Sequence, residues 1–366
     1  PGDTGASTAG AMRPRLHFAA RSGWINDPLG LTHHDGRYHL FFQHVPGTTS
    51  WATEQHWGHA TSTDLLHWDE GPVALSPGDG DDGVWSGSLV RDKDRTVIFY
   101  TSVDAAAPQL GRVRLARPAD DAWRTWTKGP FVAPLPDGAA VTAVRDPYVT
   151  HDGDSWLMLL GAGLADGSGA ALAYRSHDLE RWAYDGVLAS RPASATDPWT
   201  GEIWECPQLV RVDGRWALVV AAWGGGHPGF GVAALGDLRG GRFVAERWHR
   251  YTYGPSLYAG SAFRDADGAP GLAHWLREVR GPGWAGAHAV PYRLGVRGDR
   301  LRVEPHPTLA SARTGATEEV TGAGVPVVGP CEVEWALPVR APGTLTLARG
   351  DEPVLRIDAD AAELAV

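Results

Sequence analysis

Five short polar signatures recur along this 366-residue chain at nearly constant spacing, and three of them carry a carboxylate. Asp27 lies in Trp24-Ile25-Asn26-Asp27-Pro28-Leu29-Gly30, and Ser86 in Trp85-Ser86-Gly87-Ser88. Asp146 lies in Arg145-Asp146-Pro147, and Glu205 in Trp204-Glu205-Cys206-Pro207. Tyr258-Ala259-Gly260-Ser261 is a softer fifth element. From Asp27 through Ser86, Asp146 and Glu205 to Gly260 the steps are 59, 60, 59 and 55 residues. A fixed period of that size in a strand-rich chain points to a toroidal or solenoidal repeat. If every repeat presents its polar site at the same place, closing the ring gathers Asp27, Asp146 and Glu205 into one pocket.

The segments between signatures read as strands. Tyr38–Phe42, Thr96–Tyr100, Ser155–Leu160 and Trp216–Val220 are apolar or alternating runs. Each follows a turn signal: Asp35-Gly36, Asp92-Lys93-Asp94, Asp152-Gly153-Asp154 or Asp213-Gly214. That is a hairpin pattern. A second marker repeats 114 residues apart, close to two periods, in Ser62-Thr63-Asp64-Leu65 and Ser176-His177-Asp178-Leu179. Gly236-Asp237-Leu238 reads as a degenerate third copy. Four strands per period and five periods predict an all-β chain whose residues 12–300 form a five-bladed β-propeller, with the signatures on the channel-lining first strands. A sandwich does not explain the period, and a parallel β-helix has a shorter one. Residues 301–366 change character. Cys331–Leu337, Thr344–Leu347 and Val354–Ile357 alternate as half-buried strands of a short C-terminal β appendage.

Composition agrees and excludes other classes. Glycine (47) and proline (27) are abundant, as many tight turns require, and no long stretch keeps a 3.6-residue apolar period. Net charge is −10 with the two signs interleaved and no basic run, which argues against nucleic acid as a partner. No stretch is apolar enough to predict a membrane span. Two cysteines, Cys206 and Cys331, make no disulfide framework, and no Cys/His spacing matches a metal site. No cofactor is expected. Residues 1–11 are small and uninformative and read as an extraneous leader before Met12, which predicts a cytoplasmic protein. A secreted protein whose signal had been removed would look the same.

A cluster of carboxylates fits glycosidase chemistry. Most of the seventeen tryptophans are expected to fill a β core. Trp24, Trp51, Trp57, Trp85 and Trp204 sit on or beside the signatures and are expected to face a sugar, since an indole is flat, apolar and carries an N–H at its edge. Glu205 is flanked by Trp204, Cys206 and Pro207, which solvate a charge poorly, so its pKa should rise. Asp146 follows Arg145, which should help it stay ionised. Period-two alternation would send Arg145 and Asp146 to opposite faces unless Pro147 marks an irregular strand start.

Taken in order, the signatures resemble glycoside hydrolase family 32, the β-fructofuranosidases, invertases, inulinases and levanases. The resemblance rests on Trp24–Gly30, Phe41–Pro46, His56–Ser62, Trp85–Ser88, Arg145–Pro147, Trp204–Pro207 and Gly283–Gly286. It implies a retaining, metal-independent β-fructosidase acting on terminal fructosyl units of sucrose or a fructan. Asp27 would be the nucleophile, Glu205 the general acid/base and Asp146 the transition-state stabiliser. Asn26, Gln43, Trp51, Ser86 and Arg145, with Trp24, Trp85, Tyr258 and Trp284, would contact the sugar. A fructosyltransferase on the same scaffold is the alternative. An inverting arabinan- or xylan-cleaving propeller and a non-catalytic sugar-binding propeller are rivals that the motif contexts argue against.

Other features have plainer expectations. Cys206 is expected to be a buried neighbour rather than a nucleophile, because no base is paired with it. His56 and His59 resemble a metal pair but lack further ligands. Gly161-Ala162-Gly163 through Gly167 mimics a phosphate loop and is read as a hairpin turn. Two departures from the family stand out. Gln208 follows Cys206-Pro207 where many sucrose-cleaving members place an Asp, which predicts an altered leaving-group preference. The C-terminal segment is shorter than the family's β-sandwich, so the chain is either truncated or carries a reduced one. An edge left open there invites a partner chain, so a monomer and a homo-oligomer both stay open.

Overall fold

Leu157 and Leu159 point to one side of their strand and Met158 and Leu160 to the other, and all four are buried. A strand with apolar residues on both faces must be covered on both, and stacked four-stranded sheets provide that cover. The computed structural model describes residues 13–315 apart from Pro136, Asp137 and Ala139, together with 342–349, 352–359 and 364–365. The chain divides into two units, Pro1–Leu309 and Ala310–Val366.

The first unit is a five-bladed β-propeller. Blade 1 comprises β1 (Gly23–His34), β2 (Arg37–Val45), β3 (His56–Ser62) and β4 (Asp69–Glu70). Blade 2 comprises β5 (Gly83–Asp92), β6 (Arg95–Val103), β7 (Arg112–Pro118) and β8 (Trp126–Ala133). Blade 3 holds β9 (Val141–His151), β10 (Trp156–Leu164), β11 (Ser168–Ser176) and β12 (Ala183–Pro192). Blade 4 holds β13 (Ile203–Val212), β14 (Arg215–Gly224), β15 (His227–Arg239) and β16 (Arg242–Arg250). Blade 5 is built from β17 (Leu257–Arg264), β18 (Pro270–Gly281), β20 (Tyr292–Arg297) and β21 (Arg300–Pro305), with β19 (Trp284–His288) beside β18.

The first strands β1, β5, β9, β13 and β17 pack in sequence, and β17 packs on β1 again. β19 completes the closure by pairing antiparallel with β18 and parallel with β1. Separate apolar cores fill the spaces between neighbouring blades. Asp35-Gly36 and Asp213-Gly214 turn their hairpins with positive φ at both residues, the type I′ geometry that matches strand twist. The Ser62 and Ser176 markers form the same turn. In each, the serine hydroxyl caps the backbone N–H of Leu65 or Leu179, and the aspartate accepts from the next two amides.

Some sequence expectations change. Gly236–Leu238 is not a third copy of this turn, because it runs inside β15 paired with β16. Gly161 and Gly163 lie within β10 and not in a hairpin turn, which falls at 165–167. Their missing side chains serve close packing. A Cβ on Gly161 would stand 2.2 Å from the Trp204 carbonyl oxygen. β21 pairs with β20 and belongs to the first unit, whose end at Leu309 lies beyond the expected boundary. In the second unit, β22 (Gly343–Arg349), β23 (Glu352–Ala359) and β24 (Leu364–Ala365) form an antiparallel sheet. The expected strand Cys331–Leu337 lies outside the described residues.

Candidate active site

Each of the five signatures falls on a first strand, at the point where that strand carries one residue more than its partner. The register slips between Ile25 and Pro28, Trp85 and Gly87, Arg145 and Tyr148, Glu205 and Gln208, and Tyr258 and Ser261. A bulge of this kind bends the strand and re-aims side chains. Asp146, Cys206 and Ala259 take up positive φ values of 60°, 46° and 50° at these bulges. The irregularity that brings Arg145 and Asp146 to one pocket is therefore a mid-strand bulge. Pro147 is not a strand start, since β9 begins at Val141.

The bulges converge. Ser86 Oγ donates to Asp27 Oδ2 at 2.6 Å, and Asn26 Nδ2 donates to Asp27 Oδ1 at 3.1 Å. The Cys206 thiol lies 3.5 Å from Asp27 Oδ2, while its backbone N–H donates to Asp146 Oδ2 at 2.9 Å. Arg145 Nε stands 3.5 Å from Glu205 Oε1, and the Tyr258 hydroxyl donates to Glu205 Oε2 at 2.7 Å. Cys206 thus joins Asp27 and Asp146 by hydrogen bonds, and the Arg145 ion pair brings Glu205, with Tyr258, to the same cluster.

Burial dominates the electrostatics. Asp27 is pushed above the ordinary carboxylate range by desolvation, against the pull of hydrogen bonds from Ser86, Asn26 and Cys206. Asp146 rises to about 7 through burial and then the Glu205 charge, with Arg145 opposing. Glu205 is raised as well, chiefly by burial, although its side chain keeps 20% of its surface open. The rise at Glu205 matches expectation. Arg145 favours the ionised Asp146 as expected, but burial and the Glu205 charge outweigh it. Asp146 and Glu205 titrate as a coupled pair. Burial and the carboxylate charges hold the Cys206 thiol well up, so it is a neutral donor and not a nucleophile.

The aromatic residues divide between rim and core. Trp51 is 52% exposed and meets Trp85 edge-on at 5.8 Å, and Trp85 lies 5.9 Å from the Arg145 guanidinium. Trp24 donates to Asn26 Oδ1 at 3.1 Å and packs against Trp275. Trp57 and Trp204 do not face the pocket. Both are fully buried, Trp57 between blades 1 and 2 and Trp204 between blades 3 and 4. Trp284 is buried on β19 against Gly281 and beneath Arg13, outside the hydrogen bonds that join the carboxylates. Gln43 is buried and donates to the Val84 carbonyl, tying β2 to β5.

Gln208 is a strut. Its amide nitrogen donates to the Cys206 carbonyl and its oxygen accepts from Ala262 N–H, so both ends hold backbone. His59 stacks on Phe41 and His39, which accounts for it by packing, while His56 bonds the Glu54 carbonyl. Sequence reasoning missed three supporting residues. Thr101 accepts from Asp146 N–H and donates to the Ser86 carbonyl. Gln109 accepts from Arg145 Nη2 at 2.8 Å. Arg277 lies 4.9 Å from the Tyr258 ring centroid. None has a local signal, because Thr101 and Gln109 act across a blade boundary and Arg277 meets Tyr258 from the neighbouring strand.

The model of the glycosyl hydrolases family 32 N-terminal domain matches residues 17–305. The chain belongs to glycosyl hydrolase family 32. It is 33% identical over 323 residues to a raffinose invertase of Escherichia coli, covering 82% of this chain and 66% of that one. It is 32% identical over 317 residues to a levanase of Bacillus subtilis, covering 77% and 44%. The chain thus spans less than two thirds of these curated relatives. Among solved structures, a mutant β-fructofuranosidase of Bombyx mori in complex with sucrose matches with TM-score 0.71 and 27% identity, covering 83% of this chain and 67% of that one. Fructan 1-exohydrolase IIa of Cichorium intybus with 1-kestose matches with TM-score 0.72 and 25% identity, covering 83% and 62%.

Proposed function

We propose that the chain is a retaining exo-β-fructosidase that hydrolyses terminal β-fructofuranosyl linkages of sucrose, fructo-oligosaccharides or fructans. The observation that carries this reading is the contrast between two carboxylates in one cluster. Asp27 is met by three donors, Ser86, Asn26 and Cys206, which suits an ionised nucleophile. Glu205 keeps partial access to solvent beside Tyr258, which suits a proton carrier. Membership of the family and the relatives solved with sucrose and 1-kestose support a small fructoside as substrate.

In the first step an Asp27 oxygen attacks the anomeric carbon while Glu205 protonates the glycosidic oxygen. The bond to the leaving group breaks with its electron pair, and the leaving group departs as an alcohol. In the second step Glu205, now a carboxylate, takes a proton from water. The water oxygen bonds to the anomeric carbon and Asp27 is released. Such a pair works at a separation of about 5–5.5 Å. Asp146 stabilises the developing oxocarbenium charge. Sugar hydroxyls that donate to Asp146 favour its ionised form, which moves the proton of the coupled pair to Glu205, where it is used.

The test is release of fructose from sucrose, inulin, levan and short fructo-oligosaccharides, and of arabinose from arabinan, by the wild type and Asp27→Asn. Release that Asp27→Asn lowers by orders of magnitude is expected. Activity on arabinan alone, or an unaffected variant, would overturn the reading. Products at high sucrose that are mostly oligosaccharide would replace hydrolase with fructosyltransferase.

A further inference from the structure

We propose that Arg277 is a positioning residue for the acid/base, holding the Tyr258 phenol in the one orientation that donates to Glu205. The inference rests on the assignment of Glu205 made above. Tyr258 has a choice of acceptors: its hydroxyl lies 2.7 Å from Glu205 Oε2 and 3.2 Å from the Ala222 carbonyl. Its backbone pairs with Trp275 at the last regular position before the β17 bulge, next to Ala259 at positive φ, and that pairing fixes the strand without choosing between the two acceptors. The choice falls to the side chains around the ring.

Arg277 is placed to do so. Its guanidinium donates from Nη1 to the Pro228 carbonyl at 2.8 Å, and from Nη2 to the Gly229 carbonyl at 3.0 Å and to the Pro255 carbonyl. Those carbonyls belong to the start of β15 and to the connection from β16 to β17. One side chain therefore ties blade 4 to blade 5 beside Glu205. Its backbone N–H also bonds the Ser256 carbonyl at 3.0 Å. A planar fork spent on three carbonyls cannot rotate, and its Cζ lies 4.9 Å from the Tyr258 ring centroid. A cation so placed is attracted to the face of the ring.

The groups facing Glu205 come from several elements. Arg145 and Asp146 reach it from β9, Asp27 from β1, Tyr258 from β17 and Arg277 from β18, with Cys206 on its own strand. Arg277 and Tyr258 both favour the Glu205 carboxylate. Removing either therefore moves the basic limb of the activity profile to higher pH.

Arg277→Met, Arg277→Lys, Tyr258→Phe, the Arg277→Met/Tyr258→Phe pair and Glu205→Ala are compared on sucrose and on an aryl β-fructofuranoside, whose phenolate leaves without protonation. In Arg277→Met, kcat/KM on sucrose is expected to fall about tenfold or more, while kcat/KM on the aryl fructoside, which reports bond cleavage before Glu205 acts as a base, stays within about threefold. The basic limb moves up, and Tyr258→Phe adds little in the Arg277→Met background, as expected of residues acting through one contact. Equal loss on both substrates, an unmoved limb or fully additive losses would overturn the inference. If Arg277→Met does not fold, Arg277→Lys carries the test, because it keeps the charge but not the fork. It should lose kcat/KM on sucrose selectively, and wild-type kinetics there would refute the positioning role. Glu205→Ala separates the two readings. In kcat/KM, which reports the first step alone, sparing of the aryl fructoside by Glu205→Ala but not by Arg277→Met overturns only the Arg277 inference. If Glu205→Ala lowers kcat/KM on the aryl fructoside as far as on sucrose, the acid/base assignment falls.

Discussion

Ser86 Oγ donates to Asp27 Oδ2 at 2.6 Å although the two residues stand 59 positions apart, one full period of the chain. The bond joins the bulge of blade 1 to the bulge of blade 2. It exists only because two equivalent strands meet at the channel.

Ser86→Ala tests that bond. Ser86 is the leading hydrogen-bond influence holding Asp27 down against burial, so its loss raises the Asp27 pKa further. The acidic limb of kcat/KM on a fructoside should move to higher pH. A hydrogen bond to a charged group contributes about 1.5–3 kcal/mol, which corresponds to a fall of roughly 10–100-fold. A pH–rate series on wild type and Ser86→Ala decides it, and an acidic limb that stays put or moves down contradicts the prediction.

Asp146→Asn should uncouple stability from pH. Folded Asp146 titrates at about 7 against an ordinary 3.8. The folded chain therefore holds this proton more tightly than the unfolded chain does. Its stabilising effect is complete below about pH 4 and is lost as pH rises through about 7. The variant lacks this loss and keeps an acceptor for the Cys206 N–H. Urea melts should show the variant gaining on wild type from pH 4 to 7, by on the order of 1–4 kcal/mol at the upper end. A difference that is flat or shrinks over that window would count against the raised pKa.

Gly161→Ala probes how closely blades 3 and 4 approach. The added methyl would stand 2.2 Å from the Trp204 carbonyl oxygen, which is backbone and cannot swing aside. β13 must shift at the residue before Glu205. A loss of about 1–3 kcal/mol is expected from overpacking, with a fall in kcat on a fructoside. Thermal melts and steady-state rates measure both, and wild-type values for both would show that β13 yields freely.

Much of the fold was legible because its signals are local. Turn chemistry at Asp35-Gly36 and Asp213-Gly214 follows from the φ preferences of those residues. The apolar runs of β10 and β14 follow from blades buried on both faces. What was misread concerns direction. Trp57 and Trp204 adjoin the site in sequence, yet strand alternation turns them into the cores between blades. Arg145 adjoins Asp146, yet the bulge aims its guanidinium at Glu205. Gln208 holds backbone at both ends, a role its place in the motif does not show.

The sequence by itself determined that the repeat has five members, that its strands are short and doubly apolar, and that Asp27, Asp146 and Glu205 occupy equivalent places in it. Those properties depend on residue type and spacing along the chain. Only the tertiary structure decided which atoms meet: Ser86 on Asp27, Cys206 between Asp27 and Asp146, and Arg145 and Tyr258 on Glu205. These contacts cross blade boundaries at bulges. Their geometry is set by ring closure and by a one-residue slip in each ladder, and neither is encoded in any single stretch of the chain.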